Sequence, residues 1–105
     1  MQTVVIKTRE RGTRELPYEI RWNRGRNAAV FATVQQCINY ACGRFGKYRI
    51  IDRTGTLKRY EAACNRIKPD MMLSLPEDVR RVLRDCDEID TKVRILEAIA
   101  ETLNA

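Results

Sequence analysis

Thr33-Val34-Gln35-Gln36-Cys37-Ile38-Asn39-Tyr40-Ala41-Cys42-Gly43-Arg44-Phe45 is the stretch that decides the fold. Its first four residues match a capping box. The Thr33 hydroxyl can accept from the amide of Gln36, and the Gln36 side chain can reach back to the amide of Thr33. At 100° per residue, Val34, Cys37, Ile38, Ala41, Cys42 and Phe45 fall on one arc of roughly 140°, with Gln35, Gln36, Asn39, Gly43 and Arg44 opposite. Gly43 and Gly46 then read as the stop, since glycine tolerates the left-handed conformation that closes many helices. A helix of about three turns does not stand alone in water. It needs a sheet, and the sequence on both sides supplies one.

Upstream, Thr3 to Arg9 alternates Val4, Ile6 and Thr8 with Val5, Lys7 and Arg9, as a half-buried strand does. Arg11-Gly12-Thr13-Arg14 is a turn, and Pro17 to Trp22 alternates again with Tyr18, Ile20 and Trp22 on one face. Asn23-Arg24-Gly25-Arg26-Asn27 is a second turn, followed by a short strand from Ala28 to Ala32. Downstream, Lys47 to Asp52 and Thr56 to Tyr60 read as two further strands around Arg53-Thr54-Gly55. The predicted body is therefore βββαββ, an α+β arrangement with one helix on a mostly antiparallel sheet. The helix is expected to face Tyr18 and Ile20 through Val34, Ile38, Ala41 and Phe45.

If the first three strands form a meander, this order fixes which loops share an end of the sheet. Turns 11–14 and 53–55 lie at one end, with Arg11, Arg14 and Arg53. Turn 23–27 lies at the other, beside the link Gly43-Arg44-Phe45-Gly46-Lys47, so that end collects Arg24, Arg26, Arg44 and Lys47. Glu61 to Lys68 is a weaker helical segment ended by Pro69. Ser74-Leu75-Pro76-Glu77 reads as a second capping box. It opens a helix carrying Leu75, Val79, Val82, Leu83 and Cys86 on one arc and Arg80, Arg81 and Arg84 off it. The last predicted helix, Thr91 to Leu103, has its main stripe at Val93, Leu96, Ala100 and Leu103. Ile95 and Ile99 widen its apolar arc beyond what one packing surface requires. Either this helix is wedged against its neighbours or it meets a second chain, and a homodimer through it stays open. The expected layout is one domain, 1–105, with a basic body over 1–68 and an acidic helical hairpin over 69–105 docked on it.

Charge sharpens that division. The chain carries 20 Lys and Arg against 14 Asp and Glu. Residues 1–68 have a net charge of +10 and residues 69–105 of −4. A basic body points to an anionic partner. No apolar run approaches the roughly 18 residues of a membrane span, and the first residues lack a signal-peptide pattern, so the expected place is the cytoplasm. The four cysteines, Cys37, Cys42, Cys64 and Cys86, form no CxxC pair, and histidine is absent. They read as reduced thiols used as small hydrophobes, without disulfide, metal or cofactor.

Catalysis finds little support. There is no histidine, the single serine is taken as a cap, and no phosphate-binding glycine loop is present, so the expectation is a protein that is not an enzyme. The acidic run Asp85, Asp87, Glu88 and Asp90 lacks the spacing of a calcium loop and reads as helix-capping carboxylates. Arg-rich and Gly-rich turns suit bidentate contacts to phosphate or carboxylate. The function expected is a small binding protein that modulates or inhibits a protein or nucleoprotein machine, of the kind phages and mobile elements encode. The alternative is a nucleic-acid module gripping phosphates without sequence readout. Partner binding is assigned to Arg24, Arg26, Arg44, Lys47, Arg11, Arg14, Arg53, Ile95 and Ile99. A protein or nucleoprotein target is favoured over free nucleic acid, because an acidic tail with surplus apolar surface would oppose a phosphate backbone.

Overall fold

The computed structural model describes residues 1–104. Three strands, β1 (Gln2–Thr8), β2 (Tyr18–Trp22) and β3 (Asn27–Phe31), lead into helix α1 (Val34–Arg44) and strand β4 (Tyr48–Asp52). Four helices follow: α2 (Thr56–Arg66), α3 (Pro69–Leu73), α4 (Glu77–Asp85) and α5 (Ile89–Leu103). The result is a small α+β fold with C-terminal helices. Its sheet has the order β3-β2-β1-β4, in which β1 pairs antiparallel with β2 and parallel with β4. The α1 connection therefore carries the chain from one edge of the sheet to the other, as a parallel return requires.

Register sorts the side chains. Ile6 opposes Ile20, Val4 opposes Ile50, and Ile20 opposes Ala29, so these residues share one face. Val4, Ile6 and Ile20 are fully buried there, and Trp22 nearly so. Helix α1 lies on that face, with Tyr40 against both Trp22 and Phe31 at ring separations of 5.6 and 5.2 Å. Its buried residues are Val34, Cys37 and Ala41. Ile38 is only half-buried and Cys42 is exposed, so the buried stripe is turned toward Tyr40 relative to the arc read from hydropathy. The aromatic cluster sets that rotation, since each ring pair adds about 1 kcal/mol to simple burial.

The Thr33 cap forms as expected, with its hydroxyl accepting from Gln36 N at 3.1 Å. The reciprocal bond differs: Gln36 Oε1 accepts from Ala32 N at 3.0 Å, one residue before the expected donor. The glycine stop does not operate. Gly43 lies inside the helix, and positive φ among glycines occurs only at Gly25 and Gly55. The helix ends because Phe45 turns extended (φ −108°) and sets its ring edge-on to Trp22 at 5.6 Å.

The predicted fifth strand is a helix. Residues 56–60 are too few to separate a period of 2 from one of 3.6. Extended onward, buried Thr56, half-buried Tyr60, and buried Ala63 and Ile67 repeat every three to four residues, which only a helix presents on one face. Asp52 prepares the entry by accepting from Thr54 N and Thr54 Oγ1 at 2.9 and 2.6 Å in an Asx turn.

That change moves the boundary. The chain divides into two compact units at Gly55, Met1–Gly55 and the segment from Thr56 onward, instead of at Lys68. The second unit has a core of its own: Ala63, Ile67, Leu83, Leu96 and Ala100, with Tyr60, Met71, Met72, Ile95, Ile99 and Leu103 packed against it. Helix α2 covers the α5 stripe, and Arg59 clamps Glu97 across the pair through two hydrogen bonds. This guanidinium holds the Glu97 carboxyl below the usual range. Ser74 does not cap α4. It ends α3, its hydroxyl donating to Met71 O at 2.7 Å, and Pro76 precedes α4 directly. Glu77 pairs with Arg80 (2.8 Å) and with Arg84 (3.1 Å).

Candidate functional site: the basic end of the sheet

At the end of the first unit where β2 turns into β3, the chain takes an uncommon path. Asn23 and Arg24 have φ of 54° and 57°, and Gly25 follows at 82°. Asparagine and glycine enter the left-handed region readily, whereas an arginine there costs on the order of 1 kcal/mol. Backbone bonds hold the turn, from Gly25 N to Trp22 O (3.1 Å) and from Arg26 N to Asn23 O (3.2 Å). The Arg21 guanidinium adds a third by donating to Gly25 O at 3.0 Å. Arg24 and Arg26 are thus presented on a rigid, exposed loop.

The N-terminal strand and the α1–β4 link complete this end. Gln2 N donates to Lys47 O at 3.3 Å, which places Lys47 beside the start of β1. A cleft of about 480 Å³ lies between Met1, Gln2, Thr3 and Val5 on one side and Asn23, Arg24 and Gly25 on the other. Arg44, the last residue of α1, lies over the Trp22 ring at 5.2 Å and the Tyr40 ring at 5.6 Å. Cation–π contact fixes its plane and leaves its N–H edges able to donate. Arg24, Arg26, Arg44 and Lys47 are therefore gathered as the topology predicts, and among the described residues none is in an ion pair.

Carboxylates avoid this end. The first unit has four, Glu10, Glu15, Glu19 and Asp52. Glu10 and Glu15 belong to the β1–β2 turn at the far end, and Asp52 closes β4 there. Glu19 is buried on the face opposite α1, between Lys7 at 3.5 Å and Arg21 at 3.2 Å. The far end mixes charges, so Arg11, Arg14 and Arg53 sit apart from the basic cluster and share their surroundings with Glu10, Glu15 and Asp52. The predicted binding set therefore splits in two, and the end carrying the Arg24 group is the one to which the first unit contributes no carboxylate.

Ile95 and Ile99 lie in the second unit, both half-buried against its core. Ile99 also lines a shallow apolar groove of about 220 Å³ with Leu75, Val79, Ala98 and Leu103. Part of their apolar surface is thus covered by the core of this unit, to which α2 contributes Ala63 and Tyr60. Sequence reasoning missed Arg21, whose two arms tie Glu19 to the 23–26 turn. Its place two residues after Glu19 on one strand face was the available signal.

All four cysteines are free thiols. Cys37 is a core residue as expected, but Cys42 and Cys64 are exposed and do not serve as buried hydrophobes. The run Asp85, Asp87, Glu88, Asp90 spans the α4–α5 link from the last residue of α4 to the first turn of α5, and among the described residues no three His, Cys, Asp or Glu side chains cluster as metal ligands would. No described helix is long and apolar enough to cross a membrane. No protein-family model matches the sequence, and no curated protein or solved structure matches it significantly.

Proposed function

We propose that this chain is a non-catalytic binding protein whose basic sheet end docks on an acidic surface of a protein or nucleoprotein assembly and thereby modulates that assembly. The observation that carries this reading is the gathering of Arg24, Arg26, Arg44 and Lys47 at one end of a unit whose carboxylates all lie elsewhere. A turn already fixed by hydrogen bonds loses little backbone entropy on binding, and its guanidinium groups offer bidentate donors to carboxylate or phosphate.

A protein target is favoured over bare nucleic acid by the aromatic residues of this end. Trp22 is buried beneath Arg44, and Tyr40 is engaged with Trp22 and Phe31, so neither ring offers a platform for stacking bases. The same proposal places the protein inside the cell, where exposed Cys42 and Cys64 would remain reduced. Titration of the purified protein with duplex DNA of unrelated sequences tests the choice of partner. Weak, sequence-independent binding at about 0.15 M salt is expected, because screening leaves little of a four-cation surface. Tight DNA binding at that salt, with a steep salt slope that falls by about 0.9 on Arg24→Gly, would transfer the function to the nucleic-acid reading.

A further inference from the structure

We propose that a pocket within the second unit, where α2, α3, α4 and α5 meet, binds an amphiphilic carboxylate: an aliphatic chain ending in one anionic head. The pocket holds about 370 Å³, near the lower bound of small-molecule sites. Its walls are apolar, from Tyr60 on α2, Met72 on α3, Leu83 on α4 and Leu96 on α5. A methionine among leucines gives a surface that adapts to a flexible chain better than to a rigid ring.

The remaining lining is cationic. Arg80, Arg84 and Lys92 line the same pocket. Glu77 is the one carboxylate paired with this group, and it is shared between Arg80 and Arg84. Lys92 has no ion pair among the described residues, so the group keeps a net charge of +2 against apolar walls. The positive charge is local, because the unit from Thr56 onward has 9 Lys and Arg against 10 Asp and Glu. The apolar lining selects a chain and the cations select the sign of its head. This site is independent of the basic sheet end and of the function proposed for it.

Cys64 supplies the readout, since its thiol is exposed and lines the pocket beside Tyr60. In a Cys42→Ser background, alkylation of Cys64 by iodoacetamide is followed against decanoate, decanol and decyltrimethylammonium below micelle formation. Decanoate is expected to protect Cys64 saturably at one molecule per chain, and the other two to protect it at least about tenfold less well. Lys92→Gln and Arg84→Gln, made singly, should each weaken decanoate protection by about tenfold while leaving the melting temperature unchanged. If either variant fails to fold, the other carries the comparison. Equal protection by decanol, absence of saturable protection, or full protection in both variants would overturn the site.

Discussion

Arg24 is the residue at which binding and folding can be separated. Its φ of 57° is costly for a side chain bearing a Cβ, and the turn around it is fixed by three hydrogen bonds. Replacing it by glycine removes the charge and the strain together. Arg24→Gly is expected to leave stability unchanged or raise it by up to about 1 kcal/mol in denaturant unfolding, while weakening capture of an anionic partner. A clear loss of stability would contradict the account of the turn. Burial grades a second pair of residues. Ile20 is fully enclosed between sheet and α1, whereas Ile38 stands at the helix flank. Ile20→Ala should cost about 2–5 kcal/mol and Ile38→Ala about half as much or less, read from the same unfolding curves. Equal costs would restore Ile38 to the central stripe.

At the scale of elements, α1 shows what a local pattern can and cannot reveal. Its start is legible in the sequence, because a hydroxyl three residues before a glutamine amide is chemistry confined to one turn. Its end is not, because Phe45 leaves the helix to reach Trp22, a contact that depends on the sheet. Gly43 tests this directly. A Cβ at position 43 would meet nothing within 4 Å, and the residue is helical. Gly43→Ala should therefore stabilise the protein by about 0.5–1 kcal/mol, observed as a raised melting temperature, whereas a left-handed stop would make the change destabilising.

Helix α2 carries the complementary lesson. A five-residue window beside a turn admits a strand over 56–60, yet the burial that decides the element runs from Thr56 to Ile67 and shows its period only over that whole span. The cap expected at Ser74 is displaced for a related reason. Helix α3, Pro69–Leu73, is too short to show a period of its own, and it takes that serine to end it. Reading 56–60 as a strand also takes the first turn of α2, with Tyr60, away from the second unit, which makes its core look smaller than it is.

For the molecule as a whole, the polarity of charge is legible in the sequence, and the fold relocates it. With the boundary at Gly55, the first unit has 11 Lys and Arg against 4 Asp and Glu, and the second is close to neutral. The basic end is predictable because turn positions follow from alternation, and a meander of the first three strands then assigns Arg24, Arg26, Arg44 and Lys47 to one end. The stacking of Arg44 on Trp22 is not predictable, because it requires the helix to cross β2 at one rotation. Charge of this kind steers association and sets its salt dependence more than it sets the fold, so the cluster can be altered without unfolding the protein.

The most direct test of the central claim is affinity capture from a lysate of the cell that carries this chain, with and without nuclease, by the wild type and by the Arg24→Gly/Arg26→Ala double variant. The predicted result is a discrete protein partner that the wild type retains after nuclease treatment and the folded double variant loses. Capture that disappears with nuclease, or a partner held equally by the double variant, would contradict it.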